Sequence, residues 1–414
     1  MNKPIRYIVI VAMLIMPMTL AAQKKQINQA RDILKEGKEP QKAEQIMREL
    51  LGDSTQKKNL KAWSLLANAM MMEYEQINEK LYLKQEVDTV AFFNLIGKMF
   101  TEFQTIDSID ALPDRKHRVA PRYRERHSQY LNLIRPNLNT AGKFHMKKQD
   151  YAKALEYFNI YMHTQEQPLF QKFNYETTDT IMPAVACQAM TCAYYLNDDD
   201  KVIGYSDMAL KDTAHAASTL RMLVHAYKEK KQYSLYRNTL QKGFRLFPDD
   251  SFFFTRLADS YYDAGEKDSA MMVVDSVLAA DSTNHLARYA RSTILLNEGR
   301  YQECIDEVKA LQKLTDSVPD ADYNIALAYF NQAQQLESQL KNNPPKRSQR
   351  HQIKRRIANL YAQSLVFMTR YRDHAPENVY EWAQPLYVIY LNLNMGKEFE
   401  EISNTINEYY RNTK

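Results

Sequence analysis

Residues 251–284, SFFFTRLADSYYDAGEKDSAMMVVDSVLAADSTN, decide how this chain is read. Phe254, Leu257, Ala258 and Tyr261 recur at steps of three and four residues, which gives one helical face an apolar stripe. Ala270, Val273, Val274, Val277 and Leu278 repeat the pattern in a second segment. Ala264-Gly265 between them reads as a tight turn. Ala258 and Ala270 are small enough for two antiparallel helices to cross closely, with Tyr261 filling space beside them. A single helix pair cannot bury such stripes alone, so the block calls for stacked neighbours.

The neighbours are present. Gly265 and Gly299 stand thirty-four residues apart, each at the turn of a helix pair. Blocks of the same kind start near Pro183, Ala217, Ser251 and His285, and Pro248 closes the second of them. YQECIDEV follows Gly299, with Tyr301 and Ile305 on its inner side. Another block starts near Pro319 with Ala326, Ala328 and Tyr329. An insert at 341–352, carrying Asn342-Asn343-Pro344-Pro345, is expected to delay its second helix to Ile353–Tyr371. The last pair starts near residue 377. It uses Tyr380, Tyr387 and Tyr390, then Phe399 and Ile402 after Gly396, and serves as a cap.

Upstream, a helix is expected from Pro121 to about Met146, broken near Pro136, followed by Tyr151–Met162 with Ala154, Phe158 and Tyr161 inward. Residues 165–181 form a polar and aromatic excursion. Residues 23–112 are helical but irregular. A pair turns at Gly37, and a helix from Trp63 buries Leu66, Ala67 and Met70. A linker is expected at Gln76–Gln85. A helix over Val87–Phe103 then buries Val90, Phe93, Leu95, Ile96, Met99 and Phe100, and Asp107–Lys116 reads as a polar boundary.

In the block starting near Arg135, Gly142 and Ala154 occupy the eighth and twentieth places. With the thirty-four-residue period, that pair resembles the tetratricopeptide repeat. The resemblance implies an all-α fold, an α-solenoid of antiparallel helix pairs wound as a right-handed superhelix. It covers 113–414, with blocks near 135, 183, 217, 251, 285, 319 and 377, and extends less regularly over 23–112. RPNLNTAGKF, DYAKALEYF and YLNLNMGKEF also resemble exported repeat proteins of Gram-negative bacteria.

The first 22 residues read as a signal peptide. Lys3 and Arg6 precede an apolar run from Tyr7 to Leu20, and Thr19-Leu20-Ala21-Ala22 offers small residues for cleavage. The run falls short of the roughly twenty residues that a spanning helix needs. The expected location is therefore the periplasm or the periplasmic face of the outer membrane.

Lys plus Arg number 55 against 50 for Asp plus Glu, a balance that points to no nucleic-acid partner. Cys187 and Cys192 are five apart on one helix, too far to bridge, and Cys304 replaces a packing alanine, so all three read as buried apolar groups. The nine histidines are scattered, no glycine-rich phosphate loop or nucleophile elbow occurs, and Asp198-Asp199-Asp200 lacks the glycine and glutamate of a calcium loop. No enzyme, cofactor or metal is expected.

Binding is the function this architecture suggests, with first helices lining a concave face. By helical phase that face presents Tyr194, Tyr195, Arg221, His225, Lys228, Phe252, Asp259, Tyr262, Tyr289, Thr293, Asn297, Tyr323, Phe330 and Asn331. Tyrosine offers a rigid apolar ring with a hydroxyl, which suits peptide or protein recognition. Two basic runs suit an anionic partner or a membrane surface. One is Arg115, Lys116, Arg118, Arg122, Arg124 and Arg126; the other is Lys341, Lys346, Arg347, Arg350, Lys354, Arg355 and Arg356. The expected function is a non-catalytic protein-interaction scaffold of the cell envelope. The alternative is a glycan-binding or transport accessory protein at the outer membrane.

Overall fold

The computed structural model describes residues 22–113, 116–315, 318–343 and 345–412. The signal-peptide expectation lies outside these residues up to position 21, as do Arg115 and Pro344. The fold is all-α, with no strand among the described residues. It divides into two compact units that meet in sequence at Lys230 and Lys231.

The first unit begins with α1 (residues 22–36), α2 (Pro40–Gly52), α3 (Leu60–Tyr82) and α4 (Thr89–Asp110). It continues with α5 (Arg124–Ile134), α6 (Pro136–Lys147), α7 (Tyr151–His163) and the short α8 (Tyr175–Thr178), then α9 (Met182–Tyr195), α10 (Asp199–Ala209) and α11 (Ala216–Glu229). One core runs from Ile27 to Ala226 without interruption. The second unit holds α12 (Tyr233–Leu246), α13 (Ser251–Asp263), α14 (Lys267–Ala280), α15 (His285–Asn297) and α16 (Tyr301–Leu311). The long pair α17 (Pro319–Asn342) and α18 (Arg347–His374) follows, then α19 (Val379–Asn392) and α20 (Gly396–Asn412). Within each unit the main contacts join helices adjacent in sequence, which is how a solenoid is built.

The turns show how the pairs are made. Gly37, Lys84, Gln149, Asn197, Lys231, Gly265, Gly299 and Asn394 all adopt positive φ, each between two consecutive helices. After that residue the chain must re-enter a helix, and Asp or Asn often supplies the cap. Asp88, Asp150 and Asp198 each accept backbone N–H groups at the starts of α4, α7 and α10. Only three of the eight left-handed positions are glycine, so the other five carry conformational strain that their surroundings outweigh.

Two glycines act through close packing instead. A Cβ on Gly142 would lie 2.3 Å from the Phe158 ring, and one on Gly243 would lie 2.2 Å from Phe253. Both rings are fully buried. Phe253, omitted from the sequence-derived face of α13, is therefore one of its anchors.

Several sequence expectations need correction. The linker at Gln76–Gln85 is largely helix, because α3 runs on to Tyr82. Ile77 packs on the core while the polar residues around it face water, and residues such as Glu, Lys and Gln favour helix in that setting. Val90 opens α4 with its side chain 40% exposed and does not join the core. Asp107 to Asp110 are helical. Asp107 forms a two-pronged pair with Arg124, at 2.7 and 2.8 Å, and Asp110 accepts backbone N–H groups of Arg122 and Tyr123. The boundary expected there is thus tied into the core, and α5 starts at Arg124, not at Pro121.

The insert at 341–352 is also mostly helix. α17 reaches Asn342 and α18 starts at Arg347, so the extra residues lengthen both helices. At 1.5 Å per residue these helices extend about 36 and 42 Å, roughly twice an ordinary partner here. Ser364 Oγ donates to the Ala326 carbonyl at 2.8 Å where they cross, and Leu336, Leu340 and Ile353 continue the apolar seam outward. The excursion at 165–181 turns inward: Leu169, Phe170 and Tyr175 are buried.

Candidate functional site

In the first unit, Tyr194 and Tyr195 end α9, and His225 of α11 meets them at the turn into α10. Tyr194 meets His225 edge-on at 5.1 Å, and Tyr195 stacks on Tyr151 at 4.6 Å. Tyr195 stays 56% exposed, whereas Tyr194 is half-buried. His225 Nδ1 lies 4.0 Å from Asp199, and Lys228 and Arg221 are exposed on the same helix. The three consecutive aspartates are spent locally. Asp198 caps α10 and pairs with Lys201 at 2.5 Å, which holds its carboxyl below the ordinary range, and Asp200 pairs with Lys230 at 2.6 Å.

The second unit brings more of the predicted residues together. Tyr289 on α15 is half-buried. Its hydroxyl pKa is raised first by that burial and then by Asp320 of α17, with Glu381 of α19 and Asp259 of α13 adding to the effect. Tyr323 on α17 is raised by burial and by Glu381 and Tyr380, and its ring lies 4.8 Å from Tyr371. Asp259 itself is raised mainly by burial, with Asp263 adding and Arg256 opposing. Glu381 is an acceptor for the hydroxyls of Tyr371 and Tyr380. Acids of α13, α17 and α19 thus all act on the tyrosine of α15.

Other predicted members are committed elsewhere. Thr293 Oγ1 accepts from Asn324 Nδ2 at 2.8 Å, with Ser292 at 3.1 Å on the same amide, so it joins α15 to α17. Phe330 packs edge-on against Tyr361 at 5.8 Å, and the Arg256 guanidinium lies 4.0 Å above the Phe252 ring. Lys267 approaches the Tyr262 ring at 5.8 Å. Asn297 is exposed at the end of α15, and Asn331 is half-buried beside Phe330. The acids Asp263, Asp320 and Glu381 were missed by sequence reasoning. Asp320 and Glu381 follow a helix start by one or two residues, where an acid is usually read as a dipole partner.

Of the basic runs, Arg124 is committed to Asp107, while Lys346, Arg347, Arg350, Lys354, Arg355 and Arg356 are all exposed at the start of α18. Beneath Arg356 opens a cleft of about 330 Å³, lined by Arg300, Tyr301, Gln302, Gln332, Gln335 and Gln339.

Cys187, Cys192 and Cys304 are unbridged and buried, as the sequence implies. Burial pushes the Cys192 and Cys304 thiols up to about 12, where they are poor nucleophiles. Cys187 differs in its company: Asp212 and His215 bring ligand atoms within 4.8 Å of its sulfur and of one another. The clue in the sequence is Asp-Thr-Ala-His, an acid and an imidazole three residues apart.

The decisive observation for the repeat class is one turn geometry, a left-handed residue between consecutive helices, recurring every thirty-four residues at Asn197, Lys231, Gly265 and Gly299. The spacing and the antiparallel pairing resemble those of tetratricopeptide repeats. No family model matches the chain, and no curated protein does. Among solved structures, the C-terminal part of a TPR repeat-containing protein from Cytophaga hutchinsonii is similar at 12% identity and a TM-score of 0.44, covering 63% of this chain and 91% of that one. YrrB, described as a TPR protein with an unusual peptide-binding site, is similar at 16% identity and a TM-score of 0.35, covering 51% and 94%. MamA from Desulfovibrio magneticus RS-1 is similar at 18% identity and a TM-score of 0.36, covering 47% and 96%. Among the described residues no helix is long and apolar enough to cross a membrane.

Proposed function

We propose that this chain is a non-catalytic protein-interaction scaffold whose second unit holds a basic, extended peptide or partner helix along its first helices. The observation that carries the reading is half-buried Tyr289, whose hydroxyl pKa is held up first by burial and then by Asp320, Glu381 and Asp259 of neighbouring first helices. Half-buried tyrosines supply rigid apolar area, and the carboxylates between them favour lysine or arginine. The leader and the resemblance to exported repeat proteins support an envelope location, in the periplasm or at the periplasmic face of the outer membrane. The exposed basic start of α18 would then suit contact with an anionic surface or with an acidic face of a partner.

Capture from immobilised random peptide libraries tests the reading. Lysine- and arginine-rich sequences should be enriched. Asp320→Lys with Glu381→Lys should reduce their capture by about tenfold or more, with unchanged helicity and weaker binding at high salt. Equal enrichment of acidic and basic sequences would overturn it. Cell fractionation tests the location, since a scaffold found only in the cytoplasm would contradict that part. The amide-rich cleft under Arg356 favours one second reading, glycan binding, and a sugar array on which Gln335→Ala lowers the signal would support it.

A further inference from the structure

Cys187 sits on α9, buried to 6% exposure. Twenty-five residues later the chain leaves α10, and Asp212 starts a short 3₁₀ turn over Thr213–His215. Asp212 uses both oxygens: Oδ1 accepts from the Ala214 backbone N–H at 3.2 Å, and Oδ2 lies 2.8 Å from His215 Nδ1. The carboxylate is thereby held in place, with its side chain only 13% exposed, while His215 faces solvent at 61%. Thr219 Oγ1 of α11 lies 3.6 Å from the Cys187 sulfur. One sulfur, one carboxylate oxygen and one imidazole nitrogen all fall within 4.8 Å of one another.

We propose that Cys187, Asp212 and His215 form a binding site for a borderline-soft divalent cation of the zinc type. Zinc takes thiolate, imidazole and carboxylate together and places tetrahedral donors about 3.4–3.7 Å apart. The Asp212–His215 pair already lies inside that separation. That hydrogen bond, at 2.8 Å, opens slightly as the exposed imidazole turns to take the ion. A thiolate and a carboxylate neutralise a dication, which suits a site whose floor is buried and whose mouth is open. His215 is the gate, and the fourth position faces solvent, where water or a partner's side chain completes the tetrahedron. The ion would join α9 to the loop leading into α11, two segments within the first unit.

The experiment titrates the reduced, full chain with Co²⁺ as the spectroscopic probe and then competes it with Zn²⁺. One equivalent should produce the near-ultraviolet charge-transfer absorption of a cobalt–thiolate bond, which Zn²⁺ displaces. Cys187→Ser should abolish that absorption. His215→Ala, at a position whose side chain faces solvent, should weaken Co²⁺ binding by at least about tenfold. Cys192→Ala with Cys304→Ala should leave the absorption unchanged. Circular dichroism on each variant separates lost binding from lost fold. No thiolate absorption in the unaltered chain overturns the proposal. So does absorption that survives Cys187→Ser, or that is lost from the Cys192/Cys304 variant while its helicity is intact.

Discussion

Arg135 stands at the break between α5 and α6, and its replacement by leucine tests how the first unit is tied together. The guanidinium is 5% exposed and lies between the rings of Tyr161 and Tyr175, 3.6 and 3.8 Å from their centroids. It donates to Asp179 Oδ2 at 2.6 Å, to Thr164 Oγ1 at 2.8 Å and to the Tyr161 carbonyl at 3.2 Å. Asp179 also accepts from the Tyr161 hydroxyl at 2.8 Å, and its side chain is 6% exposed. The whole excursion 164–181 is therefore clamped by one cation. Arg135→Leu leaves a buried carboxylate with neutral donors only, at a cost of about 3–5 kcal/mol. That is a large share of the roughly 5–15 kcal/mol typical of a folded domain. Arg135→Lys keeps the charge and loses the planar fork that stacks between two rings, so it should also destabilise, by less. Replacing the pair together, Arg135→Leu with Asp179→Leu, removes the unpaired charge and should recover most of the loss. Urea denaturation followed by circular dichroism, with hydrogen exchange read over 164–181, makes the measurement. A cost under about 1 kcal/mol for Arg135→Leu, or a double variant no better than the single one, would refute the reasoning.

Gly142→Ala should destabilise by about 1–3 kcal/mol, because its methyl would meet the Phe158 ring at 2.3 Å; adding Phe158→Leu should relieve part of the clash in a double-variant cycle. His127, buried between Phe103 and Tyr123, has its pKa lowered from 6.5 to about 4 by burial, with Arg126 adding to the effect. The unfolded chain takes up that proton near 6.5 and the folded one only near 4. The contribution is therefore complete above 6.5 and is lost as pH falls toward 4, by up to about 3 kcal/mol. Melting curves across that range should show the loss, and His127→Phe should flatten it. Cys192 and Cys304 should resist a thiol reagent in the native chain and react on unfolding, as absorbance of the released chromophore will report.

The helix pairs were legible wherever apolar spacing and a turn glycine coincided, as at Gly265 and Gly299. They were harder to place where Lys84 or Gln149 fills the same left-handed position, because nothing in those residue types announces it. The polar residues of 76–82 and 347–352 read as linker because composition was weighed above helix propensity. The apolar seam through Ile77, and the one through Leu340 and Ile353, extends the helices regardless. Aromatic members of the binding strip were visible by phase, but Thr293 and Phe330 turned out to hold the framework together. Which tyrosine packs and which faces a partner depends on the next helix over, and periodicity within one helix does not carry that. The acids Asp320 and Glu381 gain their meaning only from Tyr289 on the preceding first helix, α15.

The two crowded glycines differ in where their partner resides. Gly142 and Phe158 belong to one pair of helices, whereas Gly243 ends α12 and its ring, Phe253, opens the following pair. Transplanting α6 and α7 as a cassette would carry the first lock and key along intact. Cutting between α12 and α13 would part the second, leaving a hole on one side and a protruding ring on the other. For anyone shortening or recombining this array, that seam is the wrong place to cut.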